Sequence, residues 1–264
     1  MTTILKAPKL RTLRRARTHF WGESMAQKII IASGKGGVGK SSLTAGLGRA
    51  LSAMDKKVLM LDMDIGLRSL DLIFGVEAAT VFDWGNIIDE ECEPNQATMS
   101  AGGPKLITAP MGLSDSFTPE AMKKLAEKLD SGYDYILLDA PAGLSSGFEL
   151  ACAAADRAIV VSTADEVCVR SVNITAAGIR RSGITDVRLV INRFDEKAVV
   201  KGKLLNIDDV IDATCAQLLG IVPEDAYVSH CAVRGEKLPP LSSASRAFSR
   251  IARRVCGENV PLFG

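Results

Sequence analysis

The densest chemistry in this chain lies in eight consecutive residues, Gly34-Lys35-Gly36-Gly37-Val38-Gly39-Lys40-Ser41. A glycine, four residues and then Gly-Lys-Ser is the spacing of a phosphate-binding loop. Glycines let the backbone turn its N–H groups inward around a phosphate, and a helix starting there adds a favourable dipole. Lys40 can reach the terminal phosphates, and the Ser41 hydroxyl is placed to ligate Mg²⁺. The apolar run 28–32 before the loop reads as a buried strand, and Ser42 and the residues after it open a helix. With strand and helix both in place, the motif predicts a nucleoside triphosphate site.

Two further strand ends bring acids toward that loop. In Val58-Leu59-Met60-Leu61-Asp62-Met63-Asp64, the two aspartates share side-chain parity and leave the strand where a nucleotide would lie. In Tyr135-Ile136-Leu137-Leu138-Asp139, four apolar residues run into an acid, the Walker B arrangement. Asp139 suits Mg²⁺ held through water, and Asp64 suits orientation of the attacking water. Asp62 either faces the nucleotide or braces its own loop. Lys35 is the unusual residue, because an ordinary phosphate loop needs a single lysine. A side chain at its start does not easily curl onto its own nucleotide. It could cross a symmetric interface and stabilise charge on a partner's phosphates.

These residues need elements to position them. Apolar runs at 28–32, 57–61, 103–109, 135–138, 158–162, 187–191 and 220–222 read as strands. Helical patterns fit 40–54, 69–74, 119–129, 147–154, 168–182, 207–218 and 243–255. Continuous apolar strands alternating with helices predict an α/β fold, with a mainly parallel twisted sheet and helices on both faces. Chemistry in such sheets collects at the carboxyl ends of the strands. Residues 25–264 read as a single domain.

Composition narrows the field. The 264 residues are 47% apolar, ample for a sizeable core. Six cysteines with no C-x-x-C pair argue against zinc or a disulfide frame and fit a reducing cytosol. Two histidines make a His-based metal site or triad improbable, and no apolar run reaches the ~18 residues needed to span a bilayer. Residues 1–24 carry six Lys and Arg against Glu23 alone, a balance of +5, which leaves −4 on the rest of a chain of net charge +1. The acidic body argues against strong nucleic-acid binding through bulk charge. The basic extension reads as disordered or as a mis-assigned start ahead of Met25. If translated, it would place Leu10, Leu13, Ala16 and Phe20 on one face of a helix suited to anionic lipid. Trp84 and Phe82 are expected to pack, and Arg246, Arg250, Arg253 and Arg254 to form a solvated helix face.

The loop resembles the deviant Walker A motif of the MinD/ParA ATPases. Asp64-Ile65-Gly66-Leu67-Arg68-Ser69-Leu70-Asp71, Asp139-Ala140-Pro141-Ala142-Gly143, Val190-Ile191-Asn192-Arg193 and Gly220-Ile221-Val222-Pro223-Glu224-Asp225 favour the MinD branch. The resemblance covers residues 25–263. It implies a P-loop NTPase of the SIMIBI type, with ATP and Mg²⁺ as cofactors. Further implications are an ATP-dependent homodimer with Lys35 crossing between subunits, hydrolysis aided by Asp64, switching at 139–143 and an adenine contact from Asn192 beside Arg193. MinD proteins place the division septum by cycling on and off the membrane. MinC- and MinE-like partners, and a cytoplasmic location with peripheral attachment at the inner membrane face, are therefore expected.

The sequence also departs from the family. MinD chains usually continue into a basic amphipathic helix, whereas this sequence ends at Leu262-Phe263-Gly264. The expectation is that this anchor is absent, which leaves membrane binding open. Ala164-Asp165 stand where Asn-Pro is common after the threonine, and Ser69 replaces a usual asparagine. ParA-type DNA or cargo partitioning and a flagellar-number MinD-like role share the motifs and remain alternatives. A metal-cluster carrier would want a C-x-x-C pair.

Overall fold

The fold was described from a computed structural model, in which residues 25–263 are described. The basic helix expected within 1–24 lies outside them. Eight strands form one sheet: β1 (Gln27–Ser33), β2 (Val58–Asp62), β3 (Met99–Ser100), β4 (Lys105–Ile107), β5 (Tyr135–Ala142), β6 (Arg157–Ser162), β7 (Val187–Phe194) and β8 (Gln217–Pro223). Their order is β3-β4-β2-β5-β1-β6-β7-β8, parallel throughout except for the β3–β4 edge pair. Strands β1 and β2 are buried almost end to end, as continuous Ile and Leu runs require when helices cover both faces. Alternate residues feed two cores. Ile30, Leu59, Leu61 and Leu138 face one side, and Ile29, Ile31, Met60 and Leu137 the other.

The helix Lys40–Ser52 follows the phosphate loop, and Ser243–Val255 packs against it. The contact is close because Gly46 has no side chain: a Cβ there would meet the Phe248 ring at 2.3 Å. Gly220 gives the same helix room on the sheet, where a Cβ would lie 2.4 Å from Ile251.

Sequence and structure differ where local signals were weak. The helix expected over 207–218 is Ile207–Thr214. Cys215 takes a left-handed conformation at φ 48° and the chain enters β8 at Gln217, because sheet pairing with β7 overrides helical periodicity. The strand expected over 103–109 shrinks to Lys105–Ile107. The short helices Trp84–Ile88, Pro94–Ala97, Glu196–Val200 and Ala226–Arg234 were not anticipated. Three carry aspartate N-caps: Asp83 accepts from Gly85 and Asn86, Asp195 from Lys197 and Ala198, and Asp225 from Tyr227. Among the described residues no helix is long and apolar enough to cross a membrane.

Candidate nucleotide site

The phosphate loop links β1 to the helix Lys40–Ser52 at the carboxyl edge of the sheet, between β5 and β6. Three of its glycines have distinct causes. Gly37 and Gly39 take φ of 79° and 88°, open to glycine without strain. Gly34 is excluded from carrying a side chain by packing, since a Cβ would sit 2.3 Å from the Ser171 carbonyl oxygen on the helix Glu166–Arg181. Gly39 is also crowded, with Asn192 Nδ2 at 2.3 Å from where a Cβ would stand.

Lys40 is buried and its Nζ lies 3.0 Å from Asp139 Oδ1 and 3.4 Å from Ser41 Oγ. The Thr44 hydroxyl, one helical turn on, lies 2.8 Å from the same carboxylate oxygen and 3.1 Å from the Lys40 carbonyl. Asp139 is fully buried, and its Oδ2 has no hydrogen-bond partner among the described residues. That is an acceptor facing an unmet need. Ser41, Asp139 and Asp64 offer oxygen donors only, the chemistry that suits a hard divalent cation. Among the described residues no group of three or more His, Cys, Asp or Glu side chains could cage a metal. An ion here would draw its remaining ligands from phosphate and water.

The neighbouring strand end is built differently. Asp62 pairs in register with Asp139 and is equally buried. Its Oδ1 accepts from the Asp64 amide at 3.0 Å, and its Oδ2 from the Ser69 and Leu70 amides at 2.8 and 3.0 Å. Both oxygens therefore brace the loop 63–69 and the start of the helix Leu70–Phe74. Burial, reinforced by the Asp139 charge, pushes the Asp62 carboxyl up to about 6 against the pull of those three amides. Asp64 is only partly buried and lines a cavity of about 770 Å³ together with Gly36–Ser42. Burial raises its carboxyl above the ordinary range, Lys40 pulls it down and Asp139 adds to the rise.

The remaining site residues divide. Lys35 is exposed, and its charge helps hold the Asp165 carboxyl below the usual range, together with bonds from Thr163 and Cys168 that outweigh the effect of burial. Asp165 caps the helix Glu166–Arg181, which gives this departure from the family pattern a structural role. Asn192 is buried and donates from Nδ2 to the Val38 carbonyl at 2.8 Å. Here its amide braces the phosphate loop from behind. Arg193 is exposed, in a left-handed conformation at φ 54°, and pairs with Glu224 at 2.8 Å. Trp84 is fully buried against Phe117 and donates from Nε1 to the Asp62 carbonyl, the packing role expected of it. Thr44 was missed, although its spacing of four from Lys40 places both on one helix face.

Known proteins with this architecture sharpen the picture. A family model described as ParA, NUBPL iron-transfer P-loop NTPase, matches residues 24–256. The septum site-determining protein MinD of Bacillus subtilis is 36% identical over 246 residues, covering 90% of this chain and 92% of that protein. The Synechocystis MinD is 35% identical over 245 residues, again 90% and 92%. Among solved structures, the MinC:MinD cell division complex of Aquifex aeolicus matches with a TM-score of 0.83 at 33% identity, covering 90% of this chain and 99% of that one. The MinD of Pyrococcus horikoshii complexed with Mg-ADP gives 0.78 at 25% identity, covering 88% and 96%. With the phosphate loop, the two strand-end acids and the sheet order all in place, the chain belongs to the MinD/ParA family of P-loop ATPases.

Proposed function

We propose that this protein is an ATP-dependent dimeric switch of the MinD type that acts in division-septum placement. Gly34–Ser41 cradle the phosphates, and Lys40 leaves Asp139 to meet the terminal phosphates. Ser41 and Asp139 would hold Mg²⁺. Bound there, the ion would supply charge neutralisation to the transferring phosphoryl group. Asp64 orients the attacking water, and Lys35 serves the nucleotide of the opposite subunit. Asn192 and Arg193 flank the base. MinC-like and MinE-like regulators read the closed dimer; the MinC:MinD complex of Aquifex aeolicus supports the MinC-like partner.

The observation that carries this reading is the surface around Lys35. Leu67, Met111, Leu113, Leu144 and Val167 are all exposed, and each follows the carboxyl end of a parallel strand. Exposed apolar groups gathered on one face mark a surface that another molecule covers. With the exposed Lys35 following β1 between β5 and β6, that face suits a second copy holding a triphosphate. Arginine-rich DNA readout finds no comparable support, since the body of the chain is acidic.

The test is sedimentation of the full chain with Mg²⁺ and a non-hydrolysable ATP analogue. A dimer is expected with analogue and a monomer with ADP. Lys35→Ala should bind analogue with unchanged affinity yet remain monomeric. A wild-type chain that stays monomeric with its site filled would reject the switch.

A further inference from the structure

A cavity of about 850 Å³ lies at the far end of the helix Lys40–Ser52 from the phosphate loop. A helix of that length spans roughly 20 Å, so the two sites are separate. The cavity opens beyond the close contact at Gly46, between this helix, the helix Ser243–Val255 and the tail around Val260–Phe263. Its lining includes five cations, Arg49, Lys237, Arg246, Arg250 and Arg253, and no acid among the described residues. Arg253 is partly neutralised by Glu258 at 2.7 Å, while Lys237 and Arg246 form no ion pair among the described residues.

Two buried polar atoms here lack hydrogen-bond partners among the described residues: Arg49 Nε and Ser52 Oγ. The Arg49 guanidinium is held rigidly, stacked 4.3 Å from the Phe74 ring centre and donating from Nη1 to the Glu236 carbonyl at 3.1 Å. Burial lowers its pKa, a sign that its positive charge is poorly solvated. The rest of the wall is apolar, with Met54, Leu238, Phe248 and Phe263 among it. The arginine face expected to be merely solvated is thus divided. Arg254 turns away and is spent on the Leu219 and Val260 carbonyls, whereas Arg246, Arg250 and Arg253 border the cavity.

We infer that this cavity binds an organophosphate with an apolar tail. Lys237 and Arg246, with the Arg49 guanidinium beside them, overcompensate a single carboxylate, while a phosphate monoester carries about −1.5 to −2 charges and three acceptor oxygens. Those oxygens match the guanidinium forks. The apolar wall takes the tail. The phosphate comes from a lipid headgroup or from a free metabolite. This assignment does not depend on the dimeric switch.

The experiment is calorimetric titration of the full chain with octyl phosphate below its micelle concentration, with and without saturating Mg-ADP. Inorganic phosphate and octyl glucoside are titrated in parallel. Saturable binding of octyl phosphate that persists with Mg-ADP and is tighter than either comparator is expected. The exposed pair Lys237→Ala/Arg246→Ala should weaken it about tenfold while leaving Mg-ADP affinity and melting temperature unchanged. Co-sedimentation with phosphatidylcholine vesicles containing phosphatidic acid, and not with phosphatidylcholine alone, would identify a lipid source. Binding of octyl phosphate without co-sedimentation would identify a soluble one. No saturable binding, binding displaced by Mg-ADP, or binding indifferent to the double change would overturn the assignment.

Discussion

The carboxyl ends of β2 and β5 lie side by side in register, and each ends in a fully buried aspartate. Asp62 is saturated by three backbone amides of its own loop. Asp139 is held through one oxygen by two side chains, Lys40 and Thr44, and its other oxygen has no partner among the described residues. Backbone donors cannot leave when a ligand arrives, but a lysine can swing to a phosphate. The same residue type at the same depth is therefore a fixed brace in one strand and an available ligand in the next. What separates them is the identity of the donors.

The sharpest way to break this comparison is to change each acid to its amide. Asp139→Asn keeps an oxygen for Lys40 and Thr44 but loses the charge that faces a metal and phosphate. Single-turnover hydrolysis should fall about 10²–10³-fold, with chemical denaturation little changed. Asp62→Asn presents an N–H₂ to backbone N–H groups that need an acceptor. Stability should fall by about 2–3 kcal/mol, read by urea denaturation, and nucleotide affinity should follow only through loosening of the loop 63–69. If Asp62→Asn were the catalytic lesion and Asp139→Asn the folding lesion, the assignment of brace and ligand would be reversed.

The two acids also repel, which gives a subtler readout. The Asp62 carboxyl titrates near 6, raised first by burial and then by the Asp139 charge. A folded pKa above the ordinary value means that the protonated form is favoured by the fold. This group's contribution to stability therefore declines as pH rises from about 4 to about 6, and is level above that. In Asp139→Asn the second cause is gone. The Asp62 carboxyl carbon, followed by NMR against pH in the nucleotide-free protein, should titrate at lower pH than in wild type. An unchanged or higher titration would show that the carboxylates do not sense each other.

The difference between the two strand ends also marks the limit of what the sequence discloses. Strand, loop and helix around Lys40 were legible because the glycine spacing and the apolar run before it admit few other structures. The mainly parallel sheet followed from continuous apolar strands, and Asp139 from four apolar residues running into an acid. Whether Asp62 faces the nucleotide or braces its loop was not legible. That depends on the amides of Ser69 and Leu70, seven and eight residues away, turning back toward the strand end. The hydrogen bond from the Asn192 amide to the Val38 carbonyl, 154 positions away, was likewise not legible. The division of the arginine face between tail and cavity needed the path of residues 257–263. Short helices such as Ala226–Arg234 escaped notice because nine residues give two turns and little periodicity to read.

Thr44 offers the finest test, because it touches Asp139 without touching Asp62. Its hydroxyl is fully buried and shares Asp139 Oδ1 with Lys40. If Asp139 is a ligand held loosely enough to serve, removing one of its two holders should disturb its aim more than the fold. Thr44→Val keeps the branched shape and deletes the donor. The cost to stability should stay within about 1 kcal/mol, since the Lys40 bond remains, whereas hydrolysis should slow by several-fold to about tenfold. Thr44→Ser restores the hydroxyl and should recover most of the rate despite losing a methyl group from the core. The diagnostic is this rescue: a rate that follows the methyl and not the hydroxyl would make Thr44 a packing residue, and would leave Lys40 as the sole support for Asp139.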